Sequence, residues 1–261
     1  MNIPIVSVII SHHLDINKPY LSLCVKSYLA TIGIDYEVIV ISDADTNPAE
    51  YLPANPKLRI VHEKRLKSLA SKMDYGVDIM HPESKFVFMS NDDILVNKHS
   101  VGLMTEWSHN TGCIINGLCN TDNKAIWLGN MTIQTPAGNI ELQNTMTIED
   151  LKGQEDFIID LLPIPGPRNI WFQDWVPMFA TCIPKELWLK VGSLDPNLDF
   201  YGNDYDWCQR AKDLKFRCAV DPNAFILHFH HKTLSHVKND EIIEKCKRYL
   251  VEKRKKAMGI N

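Results

Sequence analysis

The chain has 261 residues, 45% of them hydrophobic and 23% charged. That balance buries a core without covalent staples and excludes a disordered, collagen-like or bare coiled-coil chain. Lys and Arg number 28 against 32 Asp and Glu, a net charge of −4, so no global attraction to nucleic acid is expected. Seven cysteines with no C-x-x-C spacing argue against a disulfide framework or a cysteine zinc site and for a reduced, cytoplasmic setting. The start, MNIPIVSVII, lacks a basic stretch and reads as a first strand, not a signal peptide. No run of about 18 apolar residues occurs, so no membrane span is expected. The sequon Asn130-Met131-Thr132 is then expected to stay unglycosylated.

Residues 5–10 form a run rich in Val and Ile, the pattern of a strand buried on both faces. Leu21, Cys24, Val25, Tyr28 and Leu29 follow with helical spacing. Residues 37–41 give a second strand and 58–61 a third. Leu66, Leu69, Ala70, Met73, Val77 and Met80 make one apolar helical stripe, and residues 86–89 a fourth strand. This order predicts an α/β fold with a mostly parallel central sheet flanked by helices. Beyond it, residues 113–118 read as a strand and 184–191 as a short helix. Residues 204–214 read as another helix, 224–229 as a strand and 240–256 as a basic helix. The Pro-, Gly-, Asn- and Thr-rich stretch 134–170 reads as a long surface excursion. Lys245, Lys247, Arg248, Lys253, Arg254, Lys255 and Lys256 are expected on a solvated face, with weak contact to an anionic membrane surface as the alternative.

Ligands of open α/β sheets sit beyond the carboxyl ends of the strands. Those ends carry Ser11-His12-His13, Ser42-Asp43-Ala44-Asp45 and Ser90-Asn91-Asp92-Asp93, with neither G-x-G-x-x-G nor a P-loop. Asn91-Asp92-Asp93 is the most telling, because an apolar strand delivers two adjacent carboxylates to its exposed end. Like charges raise each other's pKa. A divalent cation removes that cost, and Mg²⁺ or Mn²⁺ takes one or two carboxylates plus substrate phosphates. A solvated turn is the plainer alternative. Asp204 and Asp206 fall in the first turn of a helix, where carboxylates cap free N–H groups. They stand roughly 200° apart around the axis, so one can brace the fold while the other faces a cleft. In His228-Phe229-His230-His231, strand alternation puts His228 and His230 on one face and His231 on the other. Imidazoles suit Mn²⁺ or Zn²⁺; ordinary hydrogen-bonded histidines are the alternative.

Taken in order over residues 3–233, these elements resemble the family 2 glycosyltransferases, inverting enzymes of the GT-A fold that use nucleotide-sugar donors. Residues 6–11 are similar to the first strand of that family, and 37–46 to its strand and acidic turn that read the base. Residues 67–77, with Asp74-Tyr75-Gly76, are similar to its Asn-x-Gly helix, and Asn91-Asp92-Asp93 to its D-x-D. Residues 174–184 resemble its acceptor-side segment, 200–210 its E-D-x-D-x-x-x-R segment, and Leu227-His228 its late metal-side histidine.

The resemblance implies a Mn²⁺ or Mg²⁺ cofactor held by Asp93 and His228, with Asp92 at the ribose or donor sugar. It implies Asp43 on the base with help from Ser11, Asp74 in the donor site, and Asp204 as general base. Trp175 and Asn203 fall on the acceptor side. The implied donor is a nucleotide-sugar, UDP-sugar first, and the acceptor a glycan, lipid-linked or protein hydroxyl receiving a hexosyl or N-acetylhexosaminyl group. The implied organisation is a single GT-A domain over 1–261. Within it, 1–110 is the nucleotide-sugar half, 111–239 the acceptor and catalytic half, and 240–261 a basic helix, in a protein that is cytoplasmic or peripheral to the inner face of a membrane. Ser42, Asn91 and Asn203 stand where the family carries acidic residues, and Met178-Phe179-Ala180 where it usually has Gly. Two alternatives stay open: a GT-A module that binds without transfer, and a metal-dependent phosphohydrolase using Asp92, Asp93 and His228. The further acidic and histidine clusters of a two-metal site are missing for the latter.

Overall fold

A computed structural model describes residues 5–120, 131–143, 146–161, 163, 169–198, 201–229, 240–257 and 259. The first half is built as the spacing predicts. Strands β1 (Val6–His12), β2 (Tyr36–Ser42), β3 (Leu58–His62) and β4 (Phe86–Asn91) pair in parallel in the order β3-β2-β1-β4. In β1 every residue but Ser11 is buried, as both-faced cover demands of such an apolar run. Helix α1 (Lys18–Leu29) turns its buried Leu21, Cys24, Val25 and Tyr28 to the core. Helix α2 (Leu69–Ile79) starts at a capping box in which Ser68 and Ser71 satisfy each other's backbone N–H groups. Leu66 therefore lies before the helix and packs on the core from outside it.

The seat of α2 on β1 and β2 depends on Gly76. A Cβ there would stand 2.6 Å from Ile9 Cγ2 and 3.0 Å from Ile41 Cδ1, both fully buried. Gly76→Ala is expected to cost about 1–3 kcal/mol by overpacking. The check is a lower urea midpoint at unchanged m-value.

The second half completes a nine-stranded mixed sheet. The strands β5 (Ile94–Val96), β6 (Ile114–Cys119), β9 (Trp171–Gln173), β10 (Ala180–Pro184) and β11 (Cys218–His228) extend the order to β4-β10-β6-β11-β5, with β9 beside β11. β10 runs antiparallel to β4 and β6, and β6 runs parallel to β11. Six strands therefore point one way, β1 to β4 with β6 and β11, and their carboxyl ends share one edge. Helix α3 (Ser100–Thr111) packs on β6, β10 and β11. Helices α5 (Lys185–Val191) and α6 (Asn203–Asp213) pack on each other through stacked Trp188 and Trp207 rings, 5.3 Å apart. β11 is longer than the expected 224–229 and is bulged between Asp221 and Phe225, around Pro222, which has no N–H for a ladder.

The stretch 134–170 is not a bare excursion. Hairpin β7 (Met131–Thr135) and β8 (Gly138–Leu142), the single turn Glu149–Leu151 and helix α4 (Glu155–Asp160) put Ile140, Leu142, Leu151, Ile158 and Ile159 into a second cluster with Leu95, Phe225, Leu227 and Phe229. Its turn-forming composition hides a short alternation of apolar and polar residues. A last helix, α7, spans Asp240–Ala257. Among the described residues no helix is long and apolar enough to cross a membrane.

Candidate functional site

The site is made by a reversal of the chain. β4 ends at Asn91, the backbone turns through Asp92 and Asp93, and β5 returns antiparallel to β11 with Ile94 opposite His228. The Phe229 N–H donates to the Asp93 carbonyl at 2.9 Å. Two residues 135 apart in sequence thus meet, with His228 Nε2 at 3.1 Å from Asp93 Oδ1. The Phe179 ring stacks on the His228 imidazole, 4.5 Å between centroids and 28° between planes. Asn120, just past β6, grips the His228 backbone. Its Oδ1 accepts from His228 N at 2.7 Å and its Nδ2 donates to His228 O at 3.0 Å and to Gln143 O at 2.8 Å. Asn120 carries no sequence signal beyond its place after a strand. His230, His231 and Phe200 lie outside the described residues.

The two carboxylates are not exposed, contrary to the sequence expectation. Asp92 and Asp93 are 5% and 4% accessible, because β5 doubles back over the turn instead of leaving it in solvent. Asp92 Oδ2 lies 2.6 Å from His12 Nδ1, and Asn17 Nδ2 donates to Asp92 Oδ1 at 3.3 Å. The far nitrogen of His12 faces the Tyr51 hydroxyl at 3.3 Å. Burial raises the Asp92 pKa, His12 pulls it down, and Asp93 pushes it up again; the net direction is upward. The sequence reading assigned no role to His12, Asn17 or Tyr51.

Asp43 lies at the end of β2 against a lysine that the apolar stripe of α2 concealed. Lys72 Nζ is 2.7 Å from Asp43 Oδ1, with the two side chains 2% and 5% accessible. His13 Nδ1 approaches the same oxygen at 2.9 Å. Ser11 is half-buried between Ile41 and Asn91 of the flanking strands. Asp74 bonds to Ser193, and burial raises its pKa. No contact among the described residues ties Asp74 to Asp43, Asp92 or Asp93.

Asp204 and Asp206 divide as their helical angle predicts. Asp206 is buried between Arg210 Nε at 2.9 Å and Lys253 Nζ at 2.8 Å. Asp204 is half-buried. Its Oδ1 accepts from the Tyr205 N–H at 2.7 Å, and no cation among the described residues pairs with it. Burial pushes its carboxyl up to about 6, against the backbone hydrogen bonds that lower it. Asn203 Oδ1 accepts from the Asp204 N–H at 2.7 Å. The segment 174–179 ties this turn to the histidine. Cys208 Sγ donates to Val176 O, Trp175 meets Tyr205 edge-on at 6.0 Å, and Phe179 covers His228.

Among the described residues no group of three or more His, Cys, Asp and Glu forms a metal cage. The Asp93–His228 pair still fits a divalent ion whose other ligands come from substrate. It offers one hard oxygen and one imidazole nitrogen side by side, and the adjacent Asp92 is already matched by His12.

No family model matches the chain, and no curated protein does. Among solved structures the fold is similar to that titled "Crystal structure of GalNAc-T7 with UDP, GalNAc and Mn2+", at 13% identity and a TM-score of 0.62. The match covers 87% of this chain and 44% of that one, so the chain spans less than half of that protein's length. The mixed sheet and its flanking helices are those of the GT-A fold.

Proposed function

We propose that the chain moves a sugar from a nucleoside-diphosphate donor, UDP-sugar first, to an acceptor hydroxyl with inversion at the anomeric carbon. The observation that carries this reading is the meeting of Asp93 and His228 at the carboxyl edge of the sheet. The fold likeness to a structure holding UDP and Mn²⁺ supports nucleotide-sugar transfer in general. Asp93 and His228 would hold a divalent cation, Mn²⁺ or Mg²⁺, which would supply positive charge for the leaving diphosphate oxygens. Asp43, fixed by Lys72 and His13, accepts the N–H of the base, with Ser11 beside it. Asp92 borders the ribose or donor sugar, oriented by His12 and Asn17. Asp204 takes the proton of the acceptor hydroxyl as its oxygen attacks from the face opposite the diphosphate. Trp175 and Asn203 line the acceptor side, where a glycan, lipid-linked or protein hydroxyl enters.

The test is a calorimetric titration of UDP-, GDP- and dTDP-sugars with and without Mn²⁺. Wild type is expected to bind a donor only weakly without the cation. Asp93→Ala is expected to remove the cation-dependent part, at least the roughly 10- to 100-fold that even outer partners of a metal ligand supply. Equal donor affinity in chelator and in Mn²⁺ would overturn the reading. Release of phosphate from simple esters without an acceptor would favour a phosphohydrolase instead.

A further inference from the structure

We propose that helix α7 is a clamp on the turn that carries Asp204, and that Lys253 is the positioning residue through which it acts. The inference rests on Asp204 being the base. α7 presents two adjacent stripes to the body of the protein. Cys246, Tyr249 and Lys253 face the segment 195–197. The Tyr249 hydroxyl donates to Asp195 Oδ2 at 3.0 Å and accepts from Asn197 Nδ2 at 3.3 Å, and Cys246 Sγ donates to Asn197 O at 3.7 Å. Lys247, Leu250 and Arg254 face the start of α6. The Lys247 ammonium stands 5.6 Å from the Tyr201 ring and the Arg254 guanidinium 5.3 Å from the Tyr205 ring. Leu250 Cδ2 lies 3.1 Å from where a Cβ on Gly202 would be.

These contacts fall on Tyr201, Gly202, Tyr205 and Asp206, on both sides of Asp204 in sequence. Gly202 holds φ +79°, a conformation that L side chains rarely adopt, so the chain bends sharply where the clamp closes. Lys253 joins the two stripes. Its ammonium lies 2.6 Å from Asp195 Oδ2 and 2.8 Å from Asp206 Oδ1. Asp206 Oδ2 holds Arg210, whose guanidinium donates to Val191 O and Ser193 O at 2.8 Å each. Removing Lys253 leaves Asp206 with one cation instead of two and breaks the ion pair between α7 and α6. Burial works against the Lys253 ammonium, but the hydrogen bonds it donates to Asp195 and Asp206 raise its pKa, so the clamp stays charged at neutral pH. The basic stretch thus supplies two partly buried cations, Lys253 and Arg254, to the fold itself, while Lys247 stays on the solvated face that the sequence suggests. A general base works only when held at hydrogen-bond reach of its proton, and a displacement of about 1 Å can cost about 10²-fold.

The test compares full-length wild type with Lys253→Met, Lys253→Arg and Leu250→Ala. Each is assayed with a UDP-sugar and Mn²⁺, p-nitrophenyl glycosides as acceptors, calorimetric donor binding, and hydrogen exchange of the amides at 201–208. Lys253→Met is expected to lower kcat by about 10- to 100-fold, leave donor affinity within about twofold, and speed exchange at Tyr205 and Asp206. Lys253→Arg is expected to restore kcat and protection, and Leu250→Ala to show the same split more weakly. Unchanged kcat and protection in Lys253→Met would overturn the clamp. So would a parallel fall of donor affinity and kcat, which would mean general unfolding. If wild type transfers to no acceptor, the role of Asp204 as base fails, while the exchange data still decide whether α7 holds the turn.

Discussion

Asp204→Asn is expected to lower turnover by about 10²- to 10⁴-fold, the contribution of a positioned general base, while donor affinity stays at the wild-type level. The same substitution is expected to stabilise the fold at neutral pH. Burial holds the Asp204 carboxyl at about 6, against an ordinary 3.8. Between those values the native state binds more protons than the unfolded chain, so stability falls as pH rises. Above about pH 7 the ionised carboxylate costs on the order of 3 kcal/mol. Asparagine keeps an oxygen for the Tyr205 N–H and removes the charge. The gain from Asp204→Asn should therefore be near zero below pH 4, grow through pH 4–6, and level off at roughly 1–3 kcal/mol, a rise of several degrees in Tm. In wild type the base must be ionised, so kcat/KM should fall about tenfold per pH unit below about pH 6. Thermal melts and rate profiles from pH 4 to 8 check both. A variant with wild-type turnover would remove Asp204 from the reaction.

Lys72→Met is expected to be the most destabilising of the substitutions considered. It leaves the buried Asp43 carboxylate with the partly exposed His13 imidazole as its remaining side-chain partner among the described residues. Breaking a buried pair from one side costs about 3–5 kcal/mol, a large share of the 5–15 kcal/mol that holds a typical domain. The double variant Asp43→Asn, Lys72→Met should recover much of the loss, since the penalty is the stranded charge and not the missing attraction. Guanidinium titrations of the two singles and the double give the coupling. A double variant as unstable as the sum of the singles would show that the pair does not act as a unit. The double should also bind a UDP-sugar less tightly, because Asp43 contacts the base in the proposed reading.

The parallel half of the sheet was legible because each strand is a short, mostly apolar run rich in Val and Ile or Phe and α2 has one clean stripe. Residues that disturb those patterns were the ones missed. Lys72 sits beside the stripe of α2 yet is 2% accessible, and sequence has no way to show that Asp43 waits opposite. α3 buries Thr105 and Ser108 beside Val101 and Met104, which blurs its periodicity. β5 has three residues, too few for any period, yet it brings Asp93 to His228 and shields both carboxylates. The candidate site itself was reached through an ordered set of motifs. The partners that orient it, His12, Asn17 and Asn120, come from tertiary pairing and leave no local pattern.

Asn120 spans two otherwise separate parts, the imidazole-bearing strand on one side and the exit of the β7–β8 hairpin on the other. Lengthening or trimming the chain between Asn120 and Gln143 therefore changes the tension on His228, 108 positions beyond Asn120. The hairpin is therefore no independent appendage: a shift of its exit is passed through Asn120 to the backbone of His228.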